Sequence, residues 1–476
     1  MGALQLNRSV AHEVRVGDRR VLLHVPSSAL FDLDPVSSAL LELFAERPAV
    51  TAEDVRERLD GRFAPDEVVE ALQELIDLEV LGAEPRPPRP APPLEVREYP
   101  LSTLVLNVNT GCNLSCTYCY KEDLAVPAAG ERLALDTAIQ GIELLLAEGH
   151  SRERINVAFF GGEPLTAMEL IRAVVDYTER RCAELAKEVD FSLTTNATLL
   201  DEAIIDYLDA HRFGIAVSMD GPRAVHDRHR LTVGGQGSYQ AAARKVRLLL
   251  ERYRARPIGA RVTLTAGYTD VVAIHRHLVG ELGFHEAGFA PVTAAPEARF
   301  NLDGAELEAI FEGFKALGED YLAAALEGRS NGFANLHQLL TDLHEGTRKT
   351  LPCGAGIGML ALDPRGRLHL CHRFSGSAQP AYGDVERGID KERLGEFLAA
   401  AARREGTPCE RCRIRNLCAG GCYHESYARF SDPLSPTYHY CNLMREWVDF
   451  GIGIYARIRA VNPAFFARHL TPRRAG

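Results

Sequence analysis

Apolar and polar residues alternate along the first quarter of the chain and then settle into longer periods. Val14, Val16, Val21, Leu23 and Val25 alternate with polar residues around Gly17-Asp18, which predicts a hairpin. Residues 37–44 are apolar at helical spacing, and 51–59 open with Thr51 as a cap and Asp54 three positions on. Residues 65–78 place Val68, Val69, Leu72, Leu75 and Ile76 on one helical face. A proline-dense stretch at 85–93 predicts a semi-rigid polyproline spacer that lets the first domain move relative to the rest. Beyond Tyr99 the period changes. Short apolar runs at 104–109, 155–160, 191–195, 214–219, 260–265 and 287–291 alternate with helical patterns, as in a parallel α/β barrel or partial barrel. Residues 302–345 read as largely helical, with His337 and His344 there as structural histidines.

A chain of 476 residues is too long for one ordinary core and predicts several domains. No apolar run approaches membrane-spanning length and the N-terminus lacks a signal-peptide pattern, so the expected location is the cytoplasm, with no membrane partner. Eleven cysteines in that compartment point to metal or redox chemistry rather than disulfides. The net charge of −11 disfavours nucleic acid as a partner. This matters for residues 1–84, where strands followed by three short helices suggest a winged helix-turn-helix. Acidic side chains there outnumber basic ones roughly two to one, the wrong sign for phosphate contacts.

The chemistry concentrates in cysteines. Cys112, Cys116 and Cys119 stand as C-x3-C-x2-C directly after the 104–109 strand. Three thiolates on one loop can hold three irons of a [4Fe–4S] cube and leave the fourth open to a small molecule. Zinc would more often use two C-x2-C pairs, and a disulfide fails on odd number and tight spacing. Cys182 sits in a helical stretch and reads as a buried small residue. Seven more cysteines, Cys353, Cys371, Cys409, Cys412, Cys418, Cys422 and Cys441, follow with short gaps, a metal signal for which zinc ribbons are the alternative.

The loop, with Tyr118 before its last cysteine, resembles that of the radical S-adenosylmethionine (SAM) enzymes. The resemblance implies an incomplete (β/α)6 barrel, with active residues at the C-terminal ends of the strands. It implies that Gly161, Gly162 and Glu163 of the GGEP turn receive the SAM amino group, that Asn196 lies near ribose and methionine, and that Ser218 hydrogen-bonds ribose. Asp220 is expected to face substrate. Arg230, in a run H-D-x2-R-x4-G-x-G-S from His226 to Ser238, is the candidate partner of the SAM carboxylate. The later cysteines resemble the SPASM domain of peptide maturases, which carries two auxiliary [4Fe–4S] clusters, three clusters in all. That likeness assigns Cys409, Cys412, Cys418 and Cys441 to one cluster and Cys353, Cys371 and Cys422 to the other. No cysteine lies between 185 and 352, so the latter has three protein thiolates, and a substrate thiolate is the expected fourth ligand. The first segment is similar to the peptide-recognition domain known from pyrroloquinoline quinone biosynthesis, which adds a leader-peptide strand to its sheet edge.

The expected organisation is therefore a recognition domain (1–84), linker (85–98), barrel (99–300), helical bridge (301–350), auxiliary cluster domain (351–445) and C-terminal helix and tail (446–476). Sulfatase maturases carry an Asp after the cysteine matching Cys371; His372 stands here, pointing away from formylglycine formation. CHRF, Gly376 and the later YGDV resemble thioether maturases, closest to the family maturing quinohemoprotein amine dehydrogenase. The expectation is an enzyme joining cysteine sulfur to methylene carbons of Asp or Glu in the dehydrogenase small subunit, presented with a leader segment. Asp220 or His372 would manage the proton, and flavodoxin or ferredoxin would supply electrons. Cysteine-to-α-carbon maturation of sactipeptide type is the alternative.

Overall fold

The computed structural model describes residues 2–84, 99–120, 130–435 and 439–470; the expected spacer at 85–98 lies outside the described residues. All six runs read as barrel strands are strands. Thr103–Asn109, Arg154–Gly161, Glu188–Thr195, Gly214–Ser218, Gly259–Leu264 and Glu286–Pro291 pair in parallel, each with its predecessor in the chain. Leu104, Leu106 and Val108, with Ile155, Val157 and Phe159 beside them, pack into the main core. The alternate residues Asn107 and Asn109 belong to the opposite face. The architecture is mixed α/β around a mainly parallel sheet.

The sheet is wider than its six runs. Met359–Leu362 joins Thr103–Asn109 in parallel, and Leu368–His369 pairs antiparallel beyond it, making eight strands. The segment that carries the late cysteines is thus stitched into the barrel sheet. The boundary expected at 445/446 falls inside one continuous helix, Cys441–Val461, which starts at the last cysteine. The bridge comprises helices Gly304–Leu326 and Ala334–His344. His337 and His344 there share hydrogen bonds with Tyr321 and Tyr455 hydroxyls. Cys182 is buried in the helix Met168–Glu184.

The N-terminal segment forms the antiparallel sheet Ala11–Val16, Arg19–His24 and Ala29–Asp32, followed by helices Pro35–Glu46, Ala52–Leu59 and Pro65–Asp77. Thr51 and Asp54 form the capping box their spacing predicts. The segment is docked, which corrects the expectation of a freely moving domain. The central strand is apolar on both faces: Leu22 enters the segment's own core, while Val21 and Leu23 enter the core of the main body. Polar contacts seal the junction. His12 Nε2 lies 2.8 Å from Asp449 Oδ1, Arg413 donates to the same carboxylate, and Asn416 Nδ2 donates to Val25 O at 2.6 Å.

An incomplete barrel leaves a bare strand edge, a costly feature unless covered. Here the Glu286–Pro291 edge is covered by main chain, with Ala287 N donating to Gly332 O at 2.9 Å, and by one side-chain amide. Asn335 Oδ1 accepts from Phe289 N at 2.9 Å and Asn335 Nδ2 donates to Phe289 O at 2.8 Å, imitating a further strand. Asn335→Ala leaves a buried N–H and C=O without partners, and we expect it to destabilise the apoprotein by about 2–4 kcal/mol in urea unfolding. A loss below about 0.5 kcal/mol would show that the edge is held by other means.

Candidate active site

The Cys112–Cys119 loop leaves the first barrel strand and is held from two sides. At its start the GGEP turn lies directly on it: Gly162 N donates to Asn109 O at 2.6 Å and Glu163 N to Gly111 O at 3.2 Å. A Cβ on Gly162 would fall 1.9 Å from Gly111 O, and Gly161 sits at φ +156° with its Cβ position 2.3 Å from Asn109 O. The two glycines therefore allow this approach of backbone to backbone. Along its middle the loop is zipped to the segment before Ser238. Ser115 N donates to Leu231 O and Thr117 N to His229 O.

Glu163 is wholly enclosed. Its Oε1 accepts from Thr195 Oγ1 at 2.6 Å and Leu165 N at 3.1 Å, and its Oε2 from Asn196 N at 2.8 Å. Burial nevertheless pushes its carboxyl up to about 7, against those three donors. Asn196 reaches back to the loop, donating to Asn113 Oδ1 at 2.9 Å and lying 3.8 Å from Cys112 Sγ. GGEP turn, third-strand end and cysteine loop are one network. Ser218 ends the fourth strand beside it.

Asp220 and Arg230 meet each other. Asp220 Oδ2 accepts from Arg230 Nε at 2.9 Å and from Tyr118 OH at 2.5 Å, and Oδ1 accepts from Thr263 N at 3.0 Å. Both residues are buried. Asp220 ties Tyr118, and with it the last turn of the cysteine loop, to the fourth and fifth strands. Burial works against the Arg230 charge, but Asp220, Tyr118 and Cys116 outweigh it and its pKa is raised. Its Nη atoms make no hydrogen bond among the described residues. Burial pushes His226 down to about 4, keeping it neutral. Its Nε2 shares a hydrogen bond with Ser238 Oγ, which donates to Arg230 O. The H-D-x2-R run is thus the support of the guanidinium.

The thiols fall into three neighbourhoods: Cys112 with Cys116 and Cys119; Cys353 with Cys371 and Cys422; Cys409 with Cys412, Cys418 and Cys441. Among the described residues no group of three or more His, Cys, Asp or Glu is arranged to hold a single metal ion. Burial pushes Cys112 up to about 11 and Cys116 and Cys371 up to about 12, so these thiols give up their protons at neutral pH only to a bound cation.

The group of four has a second peculiarity. Arg404 and Arg415 stand beside it, and burial lowers the pKa of both. Among the described residues Arg404 donates only to backbone carbonyls, of Lys349, Thr350 and Arg415. Arg415 donates to carbonyls of Ser9 and Cys412, and its buried Nη2 has no partner among the described residues. Buried guanidiniums without carboxylates call for another anion. A thiolate-ligated iron–sulfur cluster, net negative, fits that demand, and the donor sets fit iron–sulfur ligation.

Two cavities open on these groups. One of 230 Å³ has Cys119 and Tyr120 on one wall and Arg373, Ser375 and His424 on another. A larger one, 640 Å³, reaches Cys418, Cys422 and Glu425. His372 stacks on Phe160 of the second strand with centroids 3.9 Å apart, its ring held flat against the barrel wall. Sequence reasoning missed Asn113, Tyr118 as an anchor, the hold of Thr195 on Glu163, Arg404 and Arg415. Position at strand ends pointed toward Thr195; the arginines carried no local signal.

Residues 106–273 match the radical SAM superfamily model. The chain is 24% identical over 424 residues to the serine-type anaerobic sulfatase-maturating enzyme of Klebsiella aerogenes, covering 80% of this chain and 96% of that one. Its fold resembles the solved structure of native anSMEcpe with bound AdoMet, with TM-score 0.64 and 20% identity over 76% of this chain and all of that one. It also resembles Streptococcus suis SuiB bound to precursor peptide SuiA, with TM-score 0.51 and 14% identity over 91% of this chain and 99% of that one.

Removing either side of the Asp220 junction tests it. Asp220→Asn leaves the buried Arg230 cation without its counter-charge, and we expect a loss of about 3 kcal/mol in urea unfolding of the apoprotein. Tyr118→Phe removes one hydrogen bond to a charged acceptor and should cost about 1.5 kcal/mol. The double variant should fall short of the sum. Losses under about 0.5 kcal/mol for both would remove Asp220 as an organising residue.

Proposed function

We propose that this protein is a radical SAM enzyme that modifies a polypeptide, joining a cysteine sulfur to a methylene carbon of Asp or Glu. Its substrate on this reading is the small subunit of quinohemoprotein amine dehydrogenase. Cys112, Cys116 and Cys119 would hold the SAM-binding [4Fe–4S] cluster. Cys409, Cys412, Cys418 and Cys441 would hold one auxiliary cluster, and Cys353, Cys371 and Cys422 the other, with a substrate thiolate as its fourth ligand. Bound there, SAM and the clusters supply a 5′-deoxyadenosyl radical able to take hydrogen from carbon, and a sink for the electron released when sulfur bonds to that carbon.

The remaining work is that of side chains. Glu163 and the GGEP backbone would orient the amino group of SAM, Asn196 and Ser218 its ribose side, and the free Nη atoms of Arg230 its carboxylate. Asp220 holds Arg230 and Tyr118 in place for this. Its three donors leave proton removal to an imidazole, either His372, stacked on Phe160 and 6.2 Å from the Tyr120 ring, or His424 at the smaller cavity. The N-terminal segment would take a leader strand on Ala29–Asp32, the sheet edge away from the one packed on Cys441–Val461. A reductant such as flavodoxin or ferredoxin would supply electrons.

The observation that carries the reading is the smaller cavity, bounded by Cys119 of the cysteine loop and by the segment after Cys371. A side chain held there lies between the two chemistries. Similarity to a sulfatase-maturating enzyme over most of the chain favours formylglycine formation as the second reading. His372 rather than a carboxylate after Cys371 counts against it. Mass spectrometric fragmentation of the product separates them: a thioether joins two side chains with loss of two hydrogens, whereas formylglycine leaves none joined. Cys112→Ala should reduce SAM cleavage to background in anaerobic assays. Cleavage at the wild-type rate would refute the cluster assignment.

A further inference from the structure

The two cavities share a wall made by Thr293 and Arg373. Arg373 is fixed at its backbone, where its N–H donates to the Cys371 sulfur. Its guanidinium lies 5.4 Å from the centre of the Tyr120 ring, next to Cys119. Among the described residues it makes no ion pair and no side-chain hydrogen bond, although most arginines of this chain that stand in polar surroundings have partners. Glu425, which lines the larger cavity with it, has its own charge opposed by burial and makes its contacts with Arg429 and Tyr440. A half-buried cation with an unoccupied donor fork therefore looks into both cavities, between the first cysteine group and the second.

We infer that Arg373 receives the carboxylate of the acidic substrate side chain on which the carbon–sulfur bond is made. The inference rests on the function proposed above and names its specificity residue. A guanidinium fork binds carboxylate through two parallel hydrogen bonds and rejects the neutral amide, whose N–H₂ would face its donors. Pairing fixes the carboxylate end and leaves the adjacent methylenes to lie along the Tyr120 face toward Cys119. The aromatic ring spreads the cation's hydration without neutralising it, so the charge stays available. The interaction also explains why an acidic residue can be drawn into a region already crowded with thiols: the cation supplies the counter-charge at the point of entry.

The test uses the anaerobically reconstituted full-length enzyme and two synthetic probes. One is the small subunit of quinohemoprotein amine dehydrogenase with its leader, the substrate proposed above. The other is a copy with its Asp and Glu residues outside the leader changed to Asn and Gln. Equilibrium binding should favour the acidic probe at least tenfold in the wild type, and Arg373→Gln should bring the two within about twofold. Discrimination undiminished in Arg373→Gln, or absent in the wild type, overturns the assignment. Should the variant fail to load iron, phenylglyoxal labelling of the wild type with peptide mapping answers the same question. The acidic probe shields Arg373 and the amide probe does not; equal shielding overturns it. The two readings fail separately. A wild-type product lacking a bond to Asp or Glu defeats the function, whereas lost discrimination at Arg373 is read from binding alone.

Discussion

The site depends on one close approach of main chain to main chain. Gly162 lies against Gly111 at a separation that no side chain allows, and Gly161 takes a backbone conformation that disfavours any Cβ. This brings the end of the second strand onto the start of the cysteine loop, so that Glu163, Asn196 and Asn113 form a single hydrogen-bonded layer beneath the thiols. A loop with three cysteines and little regular structure would otherwise have no reason to hold one shape. The second restraint, Tyr118 on Asp220, fixes its far end.

Charge is distributed to match. Each buried cation of the site has either a carboxylate or a thiol group beside it: Arg230 lies between Asp220 and Cys116, while Arg404 and Arg415 flank the four late cysteines. These pairings mean that ligands and counter-charges are built into the same folding unit. The strand Met359–Leu362 makes that unit literal, because it places the segment after Cys353 in the sheet that also carries the first cysteine loop. The N-terminal segment joins through Arg413 and Asn416, which lie within the Cys412–Cys418 loop. Leader recognition at the N-terminal segment would therefore act within contact distance of an auxiliary cysteine group.

What could be read from the sequence follows from how local each constraint is. The cysteine spacings, GGEP and six apolar runs declare themselves within ten residues, and each element lay where its run predicts. The Asp220–Arg230–Tyr118 junction draws on three separated segments, so no local pattern announces that Asp220 joins Arg230 to Tyr118. Met359–Leu362 is four residues long, too short for an alternating signal amid cysteine spacing. Val21, Leu22 and Leu23 did carry a signal of two-sided burial, but a hairpin reading uses only one face. Asn335 helps cover a sheet edge by an amide that no periodicity describes.

The account stands on an iron with an open position at the mouth of this barrel. The most direct measurement is iron and acid-labile sulfide content of anaerobically purified protein, with electron paramagnetic resonance of the reduced form before and after adding SAM. Three cubane clusters, about twelve irons with matching sulfide, and a signal shifted by SAM are the predicted result. Zinc without sulfide, or a reduced cluster whose signal ignores SAM, would contradict it.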